Sequence, residues 1–135
     1  MRIPSFVTAA LLTAGLLTGC GGDAAGDSDD VDLDEQELVD LTGADEVTID
    51  AIDNTFRPQY AEVSPGATVT FDNRGRNAHN VLAVETGAFE DVETTEFQPY
   101  DTAEITFDEP GDYLYYCSLH GTTTKGMVGG IRVVE

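Results

Sequence analysis

The sequence predicts an all-β fold, a sandwich of two sheets built from about seven or eight strands. Short runs of alternating apolar and polar residues recur between turn signals at fairly regular intervals across residues 46–135. No convincing long helical periodicity interrupts them. Those roughly 90 residues are enough for one modest core and too few for two.

The elements follow in order. Thr48-Ile49-Asp50-Ala51-Ile52 is the first run, and residues 60–63 form the next before Ser64-Pro65-Gly66 turns the chain. Thr68-Val69-Thr70-Phe71 resumes the alternation until Asp72-Asn73-Arg74-Gly75 breaks it. His79 then opens a run through Val81, Leu82, Ala83 and Val84. Residues 86–101 are weakly patterned and read as a long connection. Beyond them Ala103, Ile105 and Phe107 point one way while Thr102, Glu104 and Thr106 point the other. Glu109-Pro110-Gly111-Asp112 is a turn, and residues 113–117 and 127–134 complete the count.

Charge divides the chain. The 135 residues carry 26 Asp and Glu against 6 Lys and Arg, a net charge of -20. The basic residues Arg2, Arg57, Arg74, Arg76, Lys125 and Arg132 are scattered, which excludes the clustered cations that a nucleic-acid backbone demands. Residues 21–50 hold 12 of the acids and no basic residue, whereas residues 51–135 hold 14 acids against five basic residues. Residues 21–45 therefore read as an acidic, flexible spacer, with weak helical spacing at Leu33, Glu37, Leu38 and Leu41. The body is acidic as well, which suits a protein hydrated in concentrated salt, as in a halophile; ordinary solubility is the alternative.

Residues 1–20 have the layout of an export signal, with Arg2 followed by a mostly apolar stretch containing Phe6, Val7, Leu11, Leu12, Leu16 and Leu17. Leu17-Thr18-Gly19-Cys20 resembles the lipobox of exported lipoproteins, in which the cysteine takes a lipid and becomes the new amino terminus. An uncleaved anchor or a simple cleaved signal are the alternatives, since 20 uncharged residues separate Arg2 from Asp23. All three place the body outside the cell membrane, and the first two tether it there. No twin-arginine pair is present.

Three scarce residues carry the chemistry. His79 and His120 are the only histidines, and Cys117 is the only cysteine besides Cys20. Cys117 ends a Tyr-rich run and His120 follows after Ser118 and Leu119, so a tight turn at the strand end brings a thiolate and an imidazole onto one ion. His79, 38 residues upstream of Cys117 at the start of another strand, supplies a third ligand, and Met127 approaches as a weak fourth. Two imidazoles, one thiolate and a long axial thioether suit copper cycling between two oxidation states. Alone, each residue has an ordinary reading: a buried small hydrophobe for Cys117, core for Met127, a surface or capping residue for each His. Their joint spacing favours the metal.

At this point the sequence resembles the cupredoxins, the small blue copper proteins, and within them the plastocyanin-like and halocyanin branch. The resemblance covers roughly residues 45–135. It rests on Pro65-Gly66-Ala67-Thr68-Val69-Thr70-Phe71, on Asn77-Ala78-His79-Asn80-Val81, on residues 110–120 and on Lys125-Gly126-Met127-Val128-Gly129. It implies a Greek-key sandwich, one type 1 copper per chain, Asn80 as a brace between ligand loops and Tyr113 as a structural corner. In the family the axial Met stands two or four residues beyond the second His, whereas six residues intervene here. Should Met127 fall short, the copper would be three-coordinate or bind a backbone oxygen near Ala78.

The count of ligands limits the activity. Both histidines are consumed by one ion, so neither a second copper site nor a two-copper thiolate centre can be built. The expectation is a non-enzymatic, monomeric carrier of single electrons between redox proteins, held to the extracytoplasmic membrane face by lipid on Cys20. The rivals are a copper delivery or storage module, a non-redox surface domain, and a cysteine hydrolase. The last is disfavoured because Cys117 follows a strand and not a turn into a helix.

Overall fold

The computed structural model describes residues 30–135. The expected signal, the lipobox with Cys20 and the first part of the spacer lie outside the described residues. Two sheets face each other. One has the strand order β1 (Val39–Asp40), β4 (Tyr60–Val63), β9 (Gly126–Val133), β8 (Gly111–Gly121) and β6 (Leu82–Ala83). The other runs β3 (Thr55–Arg57), β2 (Glu46–Ile52), β5 (Ala67–Asn73) and β7 (Thr102–Phe107). Among the described residues nine strands result, one or two above expectation, because β1 and β3, of two and three residues, are too short to show a pattern, while the run through Val84 shrinks to the two-residue β6. Among the described residues no helix is long and apolar enough to cross a membrane.

Alternation in the sequence becomes alternation in space. In β5 the residues Ala67, Val69, Phe71 and Asn73 are buried while those between them are half-exposed, and β2 follows the same rule with Val47, Ile49 and Ala51. β2 and β5 pair in parallel, from Glu46 opposite Thr68 to Ala51 opposite Asn73, so their buried faces coincide. Between the sheets Phe56, Phe71 and Tyr115 meet edge to face, with centroids 5.0 to 6.1 Å apart. Burying each such ring contributes about 1.5–3 kcal/mol, and the edge contacts add to it. The Tyr113 hydroxyl donates to the Glu109 carbonyl at 2.8 Å, closing the corner at the start of β8.

Packed structure is already present before the charge boundary at residue 46. Leu33 opens a short 3-10 turn, Leu33–Glu35, and is 2% exposed; its side chain, like that of Leu114, occupies the space that a Cβ on Gly130 would take. Arg132 clamps this segment. Its guanidinium donates twice to Asp112 at 2.7 Å and pairs with Asp34 at 2.8 Å, and the Asp112 bond leads in raising its pKa. The weak helical spacing over residues 33–41 thus yields one 3-10 turn and the edge strand β1, which pairs in parallel with β4. One buried leucine and one bidentate arginine hold a segment whose average composition reads as a free tail.

Candidate metal centre

The sequence placed a turn after Cys117; the structure instead carries β8 through it to Gly121. In a regular strand residues three apart face opposite sides, and Cys117 and His120 would diverge. A wide bulge solves this. Tyr116 pairs with Val128 and Gly121 with Gly126, so residues 117–120 stand opposite Met127 alone. The surplus residues on β8 arch the chain, turning Cys117 inward and bringing His120 back over it.

Met127 returns despite the longer loop, because the additional residues fold into a hairpin. Thr122 donates its N–H to the Lys125 carbonyl at 2.8 Å, and its hydroxyl accepts the N–H of Lys125 at 3.1 Å. Gly121 and Gly126 close the base, and Met127 enters β9 fully buried, in the same core cluster as Cys117.

His79 comes from the loop between β5 and β6. Its N–H donates to the Phe97 carbonyl at 3.2 Å. Beneath it lies Asn73, completely buried, whose amide donates to the carbonyls of Asn77 at 2.9 Å and Phe97 at 3.1 Å while its oxygen accepts the Gly75 N–H at 3.1 Å. Asn80 ties this loop to the bulge: its oxygen accepts the Ser118 N–H at 2.8 Å and its amide donates to the Ser118 hydroxyl at 2.9 Å. The expected brace is therefore in place. Sequence reasoning missed Asn73, whose signal was a polar residue on the buried parity of β5. It also missed the paired glycines at 121 and 126, which matter only once the hairpin is known.

The donors converge. His79 Nδ1 lies 3.8 Å from Cys117 Sγ, His120 Nδ1 lies 3.7 Å from it, and the two Nδ1 atoms are 3.1 Å apart. Metal bonds of about 2.0 Å to nitrogen and about 2.3 Å to sulfur, arranged in a plane, put their donors roughly 3.5–3.7 Å apart. The set therefore fits one ion with little movement. His79 and Cys117 are fully buried and His120 is half-buried, so the pocket is closed on the core side and reaches solvent through one imidazole. Burial, and then the neighbouring His120 charge, lower the His79 pKa and favour the neutral ring that a metal requires. His79 Nε2 is buried without a hydrogen-bond partner among the described residues.

A two-sheet sandwich with two imidazoles, a thiolate and a thioether gathered at one end has the arrangement of a type 1 copper site. Residues 43–134 match the model of the copper binding proteins of the plastocyanin/azurin family, and the chain belongs to that family. It is 35% identical over 102 residues to a halocyanin from Natronomonas pharaonis, covering 72% of this chain and 61% of that protein. It is 32% identical over 85 residues to a chloroplastic plastocyanin from Hordeum vulgare, covering 58% and 54% respectively. Among solved structures a purple cupredoxin from Nitrosopumilus maritimus superposes with a TM-score of 0.55 at 25% identity, over 65% of this chain and 99% of that one. The match thus extends over somewhat more than half the length of the first curated relatives. Copper is the cofactor that the family and the donor set agree on.

Proposed function

We propose that this protein carries single electrons between redox proteins at the outer face of a membrane, as a monomer tethered by lipid on Cys20. His79 Nδ1, Cys117 Sγ and His120 Nδ1 would hold the copper ion, with Met127 as the weak fourth ligand. Bound copper supplies the one-electron couple. The chain keeps the donors still: Asn80 fixes one ligand loop to the other, Asn73 anchors the His79 turn, and the hairpin base returns Met127 to the bulge. A donor set already at metal-bonding separations needs little rearrangement between oxidation states, which favours fast transfer over release of the ion. The observation that carries the reading is this convergence of three donors within 4.8 Å of one another.

His120 links the interior to the surface, and Leu119 beside it is 51% exposed, giving a partner an apolar place to approach. Long-range attraction to basic partners is weakened where salt is high, so short-range apolar contact decides docking if the acidic body reflects a saline habitat.

Adding copper(II) to the metal-free protein should produce intense visible absorption and reversible one-electron voltammetry. A colourless product overturns the centre, whereas loss of the metal on reduction overturns the carrier in favour of delivery. The mass of the membrane-extracted protein should correspond to a chain beginning at lipid-bearing Cys20. A water-soluble chain cleaved elsewhere overturns the tether.

A further inference from the structure

A second surface lies on the opposite sheet from the ligand-bearing strands. β7 is an edge strand, paired on one side with β5 and on the other with nothing in the described fold. Its main-chain polarity is fixed. The carbonyls of Asp101 and Phe107 accept the N–H groups of Asn73 and Gly66, so odd-numbered residues address the sheet and Thr102, Glu104 and Thr106 direct their N–H and C=O groups outward.

Along this edge runs a trough of about 580 Å³, walled on the far side by the chain around Phe89. Such a volume falls within the roughly 300–1,000 Å³ of ligand sites. Phe89, Ile105, Phe107 and Tyr113 give it apolar walls, with the Phe89 and Phe107 rings 5.7 Å apart. Glu90, Asp91, Glu96, Glu104, Asp108 and Glu109 supply its charge, and no basic side chain lines it.

We propose that the β7 edge is a docking site for an extended, basic segment of a partner protein, which adds as a strand and places apolar side chains against the half-buried rings of Phe89 and Tyr113. A bare edge offers pairing to any strand; the six carboxylates choose the occupant. Two copies of this chain would bring two such rows together, and like charges across an antiparallel pair are destabilising. Lysine and arginine on the incoming strand turn the same row into attraction. None of the residues lining the trough is one of the metal ligands.

The test uses the copper(I)-loaded protein and an acetylated hexapeptide alternating lysine or arginine with valine, followed by amide NMR. The N–H groups of Thr102, Glu104 and Thr106 should gain protection from exchange by about tenfold or more, the signature of new pairing. A peptide N-methylated at the residues that face β7 keeps its charge and loses its main-chain bonds, so it should bind about tenfold more weakly or worse. Glu104→Lys with Glu109→Lys should weaken the unmodified peptide by a similar factor. Equal binding of the N-methylated peptide, shifts scattered over the acidic surface without protection at those three residues, or no binding at all would overturn the proposal. The last outcome would leave the carboxylates as a guard against aggregation.

Discussion

Gly121 and Gly126 face each other across the base of the ligand hairpin so closely that a Cβ on Gly126 would stand 2.7 Å from the His120 carbonyl oxygen and 2.9 Å from Gly121 Cα. Gly126 also has φ +80, where a side chain is strained regardless of space. Gly126→Ala should therefore cost about 1–3 kcal/mol in urea denaturation. The hairpin sets where Met127 re-enters the sheet, so the variant should also shift the visible and electron-spin spectra of the copper form. Unchanged stability with unchanged spectra would mean that the hairpin base is not a constraint.

Asn73 satisfies two carbonyls and one N–H from inside the fold. Phe97 retains the His79 N–H and Gly75 retains the Ala51 carbonyl after truncation, but the Asn77 carbonyl loses the amide that Asn73 donates to it. Asn73→Ala is expected to lower stability by about 1–3 kcal/mol and to broaden the copper electron-spin signal as the His79 turn loosens. A variant as stable as the parent would remove Asn73 from the supports of the site.

Tyr115 presents the reverse case. Its ring fills the centre of the aromatic cluster while its hydroxyl is buried with no hydrogen-bond partner among the described residues, and burial drives its pKa far upward. Tyr115→Phe removes the desolvated group and keeps the packing, so the protein should gain about 1 kcal/mol. Differential scanning calorimetry decides it: a lower melting temperature would show that the hydroxyl makes a bond after all.

Acid should destabilise the metal-free protein before its carboxylates titrate. His79 has a depressed pKa in the fold, first through burial and then through His120. Below the ordinary histidine value of about 6.5 the unfolded chain binds a proton that the native ring refuses, so stability falls as pH drops and is level above that value. Urea midpoints taken between about pH 5.5 and 7.5 avoid the carboxylate range. A midpoint that rises toward acid would contradict the assignment, and His79→Gln should flatten the curve.

Much of this was legible along the chain. Alternation in the segments that became β2, β5 and β7 reported which residues enter the core, because a strand's side chains change face at every residue whatever it pairs with. The scarcity of histidine and cysteine identified the three strong donors, since imidazole and thiolate are what such a copper site needs and residues 30–135 hold only two histidines and one cysteine. Tertiary structure decided what depends on register between distant segments. Opposing residues 117–120 to Met127 alone creates the bulge that lets Cys117 and His120 share an ion, and no local pattern records the position of β9 against β8. The docking of Leu33 on Gly130 and of Asp34 on Arg132 is likewise a contact across about a hundred residues, invisible to composition because a single well-placed pair outweighs the average polarity of its segment.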